Sequence, residues 1–147
     1  MHLFSLTLRG RVSRPDYPAE PKTLGEHLKK ARLDRGMEQK AAAQAIGCDP
    51  GTLLNWEKGR VAPDARFWPA ILRYLGYDPR PAPETLGGRI RAAREAAGLS
   101  EEALARQLGL DPGTLAAWER GEVSRPYPRI RRIFESYLRR RVAPAEA

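Results

Sequence analysis

One segment of the chain occurs twice, and this repeat limits the possible folds more than any other feature. The segment DPGTLLNWEKG at residues 49–59 returns as DPGTLAAWERG at residues 111–121, an offset of 62 residues. The offset holds without a gap on both sides, and 18 of the 39 positions in 23–61 (the first repeat) are identical in 85–123 (the second repeat). Such a repeat indicates two copies of one small structural unit. Shared positions are expected to serve the fold, whereas differing positions are free to carry function.

Helix start and stop signals divide each repeat into short helices. Thr23 followed three residues later by Glu26 has the pattern of a capping box, which satisfies the first backbone N–H groups of a helix. Asp49 before Pro50 marks another start, because aspartate caps free N–H groups and proline has none to lose there. Glycines follow the helix ends. The pattern predicts helices near 24–35, 38–46, 50–58 and 67–75, then 86–97, 101–108, 112–120 and 128–140.

The expected fold class is therefore all-α, with two tandem domains of four to five helices each. We place an N-terminal arm at 1–22, the first domain at 23–77, the second domain with a basic C-terminal helix at 85–141, and a tail at 142–147. The proline-rich segment at 76–84 predicts a semi-rigid linker, which we assign to 78–84. Residues 4–8 alternate with period two, which fits either a short strand or an ordered arm.

Positive charge is concentrated near the C-terminus. The formal net charge is +8, and residues 125–147 contribute seven arginines against two glutamates. In residues 85–124 the six acidic residues outnumber the five basic ones. An excess of positive charge favours a polyanionic partner, although a solvated, solubilising surface would have the same composition.

The sequence offers little for catalysis or for cofactor binding. Cys48 is the single cysteine, and we expect a buried small hydrophobe there rather than a reactive thiol. The two histidines, His2 and His27, are not at metal-ligand spacing, and no glycine-rich phosphate loop occurs. We expect no cofactor, no metal and no enzymatic activity. No apolar run approaches the ~20 residues of a membrane span, and the start is a poor signal peptide, so we expect a soluble cytoplasmic protein without a membrane partner.

Both repeats carry the same series of motifs. Leu-Gly opens the first helix, an arginine precedes a glycine by four residues, and Ala-x-x-(Ile/Leu)-Gly leads into Asp-Pro-x-Thr-Leu-x-x-Trp-Glu-(Lys/Arg)-Gly. This series resembles the phage-repressor-type (Cro/repressor-like, xenobiotic-response-element) helix-turn-helix family over most of the chain. The resemblance implies five-helix domains that bind double-stranded DNA, in most members as transcription regulators.

The resemblance also implies roles for individual residues. Arg32 is expected to pair with Glu57, and Arg94 with Glu119, largely buried in each domain. One face of the third helix of the first domain is expected to enter the major groove, where asparagine pairs with adenine and threonine touches base edges. The implied DNA contacts of the first domain are Gln39, Pro50, Gly51, Thr52, Asn55, Lys58 and Arg60.

The second repeat departs from this pattern at the same positions. Ala117 replaces Asn55, and glutamates replace three polar or basic residues of the first repeat. The remaining candidate DNA contacts are Thr114 and Arg120 on its third helix and Arg131 and Arg132 on its basic last helix. The second domain therefore either binds DNA weakly, steered by the basic helix, or serves as a docking module for a protein.

These observations favour a sequence-specific bacterial or phage-like DNA-binding regulator, with the first domain as the main base reader. Two alternatives remain: a protein-interaction or assembly module, and an architectural DNA-binding accessory factor of a mobile element. The chain is compatible with a covalent pseudo-dimer on two unequal half-sites, and also with a homodimer joined through its second domains on a palindrome.

Overall fold

The computed structural model describes residues 15–123 and 127–142, and no described residue lies in a strand. The all-α prediction is confirmed; the strand or arm predicted at 4–8 lies outside the described residues. The helices are α1 (Leu24–Asp34), α2 (Gln39–Ile46), α3 (Pro50–Glu57), α4 (Trp68–Leu75), α5 (Leu86–Ala96), α6 (Glu101–Leu108), α7 (Pro112–Glu119) and α8 (Pro128–Val142). A short 3-10 helix at Ala65–Phe67 precedes α4. Within these ranges no helix combines the length and the apolar character needed to cross a bilayer.

The chain divides after Val61 into two compact units. The first unit contains α1 to α3, and the second contains α4 to α8. The helix expected at 67–75 forms as α4, but it packs against α5 and the 3-10 helix and so falls in the second unit. The sequence suggested that it closes the first domain, because it follows the first repeat directly. Packing groups this helix with the helices that follow it, and the domain boundary predicted at residue 77 stays a prediction.

Three helices surround the small core of the first unit. Glu26 accepts hydrogen bonds from the backbone N–H groups of Lys22 at 2.6 Å and Thr23 at 3.2 Å, and the Thr23 hydroxyl accepts from the Glu26 N–H at 3.2 Å. The predicted capping box is therefore present, and these hydrogen bonds hold the pKa of Glu26 below its usual range. The buried hydrophobic residues of the unit are Leu28, Ala42, Ala43, Ile46, Leu53 and Trp56.

Gly25 allows the start of α1 to approach the end of α3. A Cβ atom added at Gly25 would lie 2.6 Å from the Glu57 carbonyl oxygen and closer still to that of Trp56. Gly87 has the same relationship to the Trp118 carbonyl oxygen in the second unit. The repeated Leu-Gly pair is therefore explained by two helices meeting backbone to backbone, where no larger residue fits.

Helix α8 completes the core of the second unit. Phe134 is fully buried, and the Trp118 ring meets it edge-on, with centroids 5.3 Å apart at an interplanar angle of 85°. The buried cluster consists of Ile90, Leu104, Ala105, Leu115, Phe134 and Tyr137. One side of α8 is thus fixed against the unit, which determines the side that it presents outward.

Arg80 holds the proline-rich segment before α5. Its guanidinium donates to the Asp78 carboxylate at 2.8 and 2.9 Å, and to the Glu95 carboxylate and the Ala92 carbonyl oxygen, both at 3.3 Å. The same group lies 4.4 Å from the centroid of the Trp68 ring, which is a cation–π geometry. The segment predicted as a semi-rigid linker is therefore tied to α4 and α5 within the second unit. The hydrogen bonds from Arg80 also hold the pKa of Asp78 below its usual range.

Candidate nucleic-acid interface

A buried ion pair fixes α3 in the first unit. Arg32 Nε and Nη2 donate to the Glu57 carboxylate at 2.7 and 3.3 Å, and Arg32 Nη1 donates to the Met37 carbonyl oxygen at 3.2 Å. The Arg32 side chain is 12% exposed and that of Glu57 is 3% exposed. Gln39 Nε2 also donates to Glu57, at 2.9 Å. Side chains from α1, α2 and α3 therefore meet at one carboxylate, which sets the orientation of α3.

The outward side of α3 and its C-cap carries a polar stripe. Gly51, Asn55 and Lys58 lie four and three residues apart, a spacing that places them on one side of a helix. Gly51 and Lys58 are exposed, and Asn55 and the neighbouring Thr52 are half-buried. The Asn55 side-chain amide makes no hydrogen bond to any described residue. We call Gly51, Thr52, Asn55 and Lys58 the recognition face.

Asp49 occupies the N-terminus of α3. Its carboxylate accepts hydrogen bonds from the backbone N–H groups of Gly51 and Thr52 at 3.0 and 3.3 Å. Pro50, at the first helical position, is exposed and has no N–H. A negative charge already meets the positive end of this helix dipole. An anion near α3 must therefore be bound by flanking side chains rather than by these backbone groups.

The N-terminus of α2, unlike that of α3, has no side chain that caps its backbone N–H groups. Glu38 is the N-cap residue but makes no capping hydrogen bond with its side chain. Gln39 is half-buried and uses one amide hydrogen for Glu57, which leaves a second one. Free N–H groups at a helix N-terminus favour an anion such as phosphate. The predicted phosphate contact of Gln39 is compatible with this arrangement and stays a prediction.

The first unit has three exposed cations in this region: Lys58 within the recognition face, Arg60 two residues after it, and Lys40 in the first turn of α2. Among the described residues, none of the three has a carboxylate within ion-pair distance. Their charges are therefore uncompensated at the surface. Uncompensated positive charge of this kind attracts a polyanion to the unit that presents Asn55 and Thr52.

The second unit contains an equivalent buried ion pair, in which the second guanidinium–carboxylate distance is shorter. Arg94 Nε and Nη2 donate to the Glu119 carboxylate at 2.7 and 2.8 Å, and Arg94 Nη1 donates to the Leu99 carbonyl oxygen at 2.9 Å. The two side chains are 8% and 3% exposed. Glu101 takes the place that Gln39 has in the first unit, and its carboxylate lies 4.0 Å from Arg94 Nη2. A carboxylate thus replaces an amide beside the pair.

The polar positions around α7 do not form a cationic face. Arg120 donates to the Glu122 carboxylate at 2.7 and 3.1 Å, and these hydrogen bonds hold the pKa of Glu122 below its usual range. Ser100 caps α6, and two glutamates follow in the first turn of that helix. Thr114 and Ala117, at the positions of Thr52 and Asn55, are half-buried. A phosphate approaching this side would meet carboxylates and a cation that is already paired.

Helix α8 carries arginines in different surroundings. Arg131 pairs with Glu135, one turn further along, at 3.1 Å. Arg141 lies 5.4 Å from the centroid of the Tyr137 ring. Arg132 is exposed and has no carboxylate within ion-pair distance among the described residues. Arg131 and Arg132 are the two DNA contacts predicted on this helix. Arg131 is already paired with Glu135, whereas Arg132 has no ion pair with a described residue.

Cys48 lies in the turn between α2 and α3. It is half-buried rather than buried, and burial raises the pKa of its thiol. The protonated thiol is the less reactive form, which agrees with the expectation of a packing role.

A family model described as a helix-turn-helix domain matches the chain twice, at residues 23–84 and at residues 85–141. The chain belongs to the helix-turn-helix domain family. The two helix-turn-helix matches follow the two repeats and include the helix pairs α2–α3 and α6–α7. Helix-turn-helix domains support DNA binding, while the narrower phage-repressor resemblance stays a prediction. Comparisons with curated proteins and with solved structures gave no match.

Sequence reasoning missed two contacts that distinguish these helix-turn-helix units. Gln39 binds Glu57, and Glu122 binds Arg120. A carboxylate two residues after an arginine was visible in the sequence. The geometry of that pair depends on how the chain turns at Gly121, which has a positive φ of 71°, and this cannot be deduced from spacing.

Proposed function

We propose that the chain is a sequence-specific DNA-binding regulator of transcription whose first unit reads bases through α3. The recognition face is the observation that carries the proposal. Its Asn55 amide has no partner among the described residues, and an asparagine amide is complementary to the N6 and N7 atoms of adenine. Thr52 borders it and can touch a base edge or a thymine methyl group.

The buried pair beneath α3 supports this role. Base reading requires the helix to be held in a fixed orientation, because hydrogen bonds to bases tolerate little displacement. Arg32, Glu57 and Gln39 supply that restraint from three helices. Glu57, where these side chains meet, therefore lies on the side of α3 that faces away from Asn55 and Gly51.

Phosphate contacts would place the face in the groove. Lys58 lies within the face and Arg60 follows it two residues later, both exposed. Gln39 and the exposed Lys40 stand at the N-terminus of α2, which has no side-chain cap. Contacts to phosphate fix register and orientation without reading sequence. We assign these four residues to positioning, and Thr52 and Asn55 to base recognition.

The arrangement of chains on DNA has two candidates. In a covalent pseudo-dimer, one chain covers two unequal half-sites about 34 Å apart. In a homodimer joined through the second units, two first units read a palindrome. The stoichiometry of the complex and the length of its footprint distinguish the two: one chain on adjacent half-sites, or two chains on a symmetric site.

Selection from random-sequence duplex DNA tests the proposal. The full chain is incubated with the library, bound molecules are recovered by mobility shift, and several rounds are sequenced. Enrichment of a motif supports a sequence-specific regulator. Binding without a motif would favour an architectural role, and no binding at low salt would leave a protein-interaction module as the better description.

A further inference from the structure

We infer that the second unit binds the phosphate backbone of duplex DNA through an arginine face formed by α8 and α5, and not through its helix-turn-helix. This inference rests on the proposed function, since it assigns a second DNA contact to the same chain. The arginine face consists of Arg89, Arg129, Arg132, Arg139 and Arg140.

The arginines of α8 in this set lie along one side of the helix. At 3.6 residues per turn, Arg129, Arg132, Arg139 and Arg140 fall within about 100° of the helix circumference. All four are exposed. The buried Phe134 lies on the opposite side of the helix and fixes the four arginines outward. At 1.5 Å per residue they extend over about 16 Å.

These charges are not neutralised by neighbours. Glu135 is the one described carboxylate on α8, and it is held by Arg131 at 3.1 Å. Arg140 Nε donates to the Ser136 carbonyl oxygen at 3.4 Å, a contact that leaves its charge uncompensated. None of the five arginines has a carboxylate within ion-pair distance among the described residues.

A second helix contributes to the same surface. Arg89 of α5 is exposed and lines one shallow depression together with Arg139, Leu138 and Glu135. The equivalent position in the first repeat is His27. The added cation on α5 therefore lies beside the arginines of α8, which extends the positive surface across two helices.

The shape and charge of this face fit an extended polyanion. Outward-facing arginines on a convex helix leave no enclosure for a small anion, whereas a duplex offers a phosphate every 3.4 Å per strand. The helix-turn-helix side of the unit is unsuited to this role, because Arg120 is bound by Glu122 and because Glu101 and Glu102 stand at the start of α6. The face has no base-reading groups, so its contribution is expected to be independent of sequence.

Two matched double variants test the inference. Arg132→Gln with Arg139→Gln removes two charges from the arginine face. Arg106→Gln with Arg141→Gln removes two charges from the same unit at exposed positions outside the arginine face, and neither change frees a carboxylate. Both variants have the same net charge, so a purely long-range effect would be equal in the two. Thermal unfolding checks that both remain folded.

The readout is the salt dependence of the dissociation constant for the selected site and for an unrelated duplex. Each phosphate that a variant can no longer bind is expected to lower the slope of log K against log salt by about 0.9, so the slope of the first variant should fall by about 1.8 on both duplexes. The second variant should retain most of the wild-type slope. Preference for the selected site should be unchanged in both.

Equal slopes in the two variants, or an unchanged slope in both, would overturn the inference. A lower slope confined to the selected site would also contradict it, since the face would then take part in recognition. Failure of the proposed function looks different: the wild-type chain would then bind no duplex, or would enrich no motif, before any arginine is changed.

Discussion

Arg94 and Glu119 form a two-point ion pair that is almost completely shielded from solvent, with guanidinium–carboxylate distances of 2.7 and 2.8 Å. The guanidinium also donates to the Leu99 carbonyl oxygen. The pair joins α5 to the end of α7, as Arg32 and Glu57 join α1 to α3. Helices α3 and α7 are therefore each held by a buried arginine–glutamate ion pair.

Removing one partner of this pair is expected to be costly. In Glu119→Gln the Arg94 charge stays buried without its counter-ion, and such changes typically destabilise a protein by about 3–5 kcal/mol. Hydrogen exchange of the second unit measures the loss, because it separates the two units of the chain. The double variant with Arg94→Met should recover part of the loss. A loss below about 1 kcal/mol would mean that the pair contributes little.

Adding a methyl group at Gly25 is expected to force α1 away from α3. The new Cβ atom would overlap the carbonyl oxygens of Trp56 and Glu57, which belong to the backbone and cannot rotate aside. We expect Gly25→Ala to destabilise the first unit by about 1–3 kcal/mol. Gly51→Ala is the control, because its Cβ would meet only the Asp49 carboxylate at 3.0 Å. Equal stabilities of the two variants, measured by hydrogen exchange, would contradict the close approach.

Giving the second unit the charges of the first repeat is expected to increase its affinity for DNA. The triple variant Glu101→Gln, Glu102→Lys and Glu122→Arg gives the second unit the residues of the first repeat at these positions. It removes the partner of Arg120 and supplies new cations, so DNA affinity should rise. The slope of log K against log salt should steepen by about 0.9 for each additional phosphate that the variant binds. An unchanged slope would show that this side of the second unit does not reach DNA even when it is cationic.

The hydrogen bonds between Arg80 and Asp78 predict that the proline-rich segment before α5 is less stable in acid. The hydrogen bonds from Arg80 lower the pKa of Asp78, so the stability that this carboxylate contributes is complete above the usual aspartate pKa of about 3.9. The contribution is lost as the pH falls through the lower pKa of the folded state. An NMR titration of the Asp78 carboxyl carbon should give a midpoint below about 3.9, which returns toward that value in Arg80→Gln. The same midpoint in the wild type and in Arg80→Gln would argue against the Arg80–Asp78 hydrogen bonds.

Local signals in the sequence predicted the helices well because helix ends are set by local chemistry. The helix expected at 50–58 is Pro50–Glu57, and the one expected at 128–140 is Pro128–Val142. Asp49 and Pro50 mark the start of the first of these helices, and Pro128 marks the start of the second. The two buried ion pairs were implied by the resemblance to the phage-repressor-type family, whose pattern both repeats carry.

Contacts between residues far apart in the chain could not be predicted from local patterns. The packing of α4 on α5, and the contact of Arg80 with Trp68 and Glu95, depend on how apolar faces are satisfied in three dimensions. On α8, helical spacing shows that some arginines share a side, but only the buried position of Phe134 shows which side faces outward.

The most direct test of the central claim compares base reading by the two units. The ratio of affinities for the selected site and a scrambled duplex is measured at one salt concentration for the wild type, Asn55→Ala and Thr114→Ala. Asn55→Ala is expected to lose about 1–3 kcal/mol of discrimination at one base position. Thr114→Ala, on the second unit, should leave the ratio close to that of the wild type. Equal losses in the two variants, or none in Asn55→Ala, would contradict the assignment of base reading to the first unit.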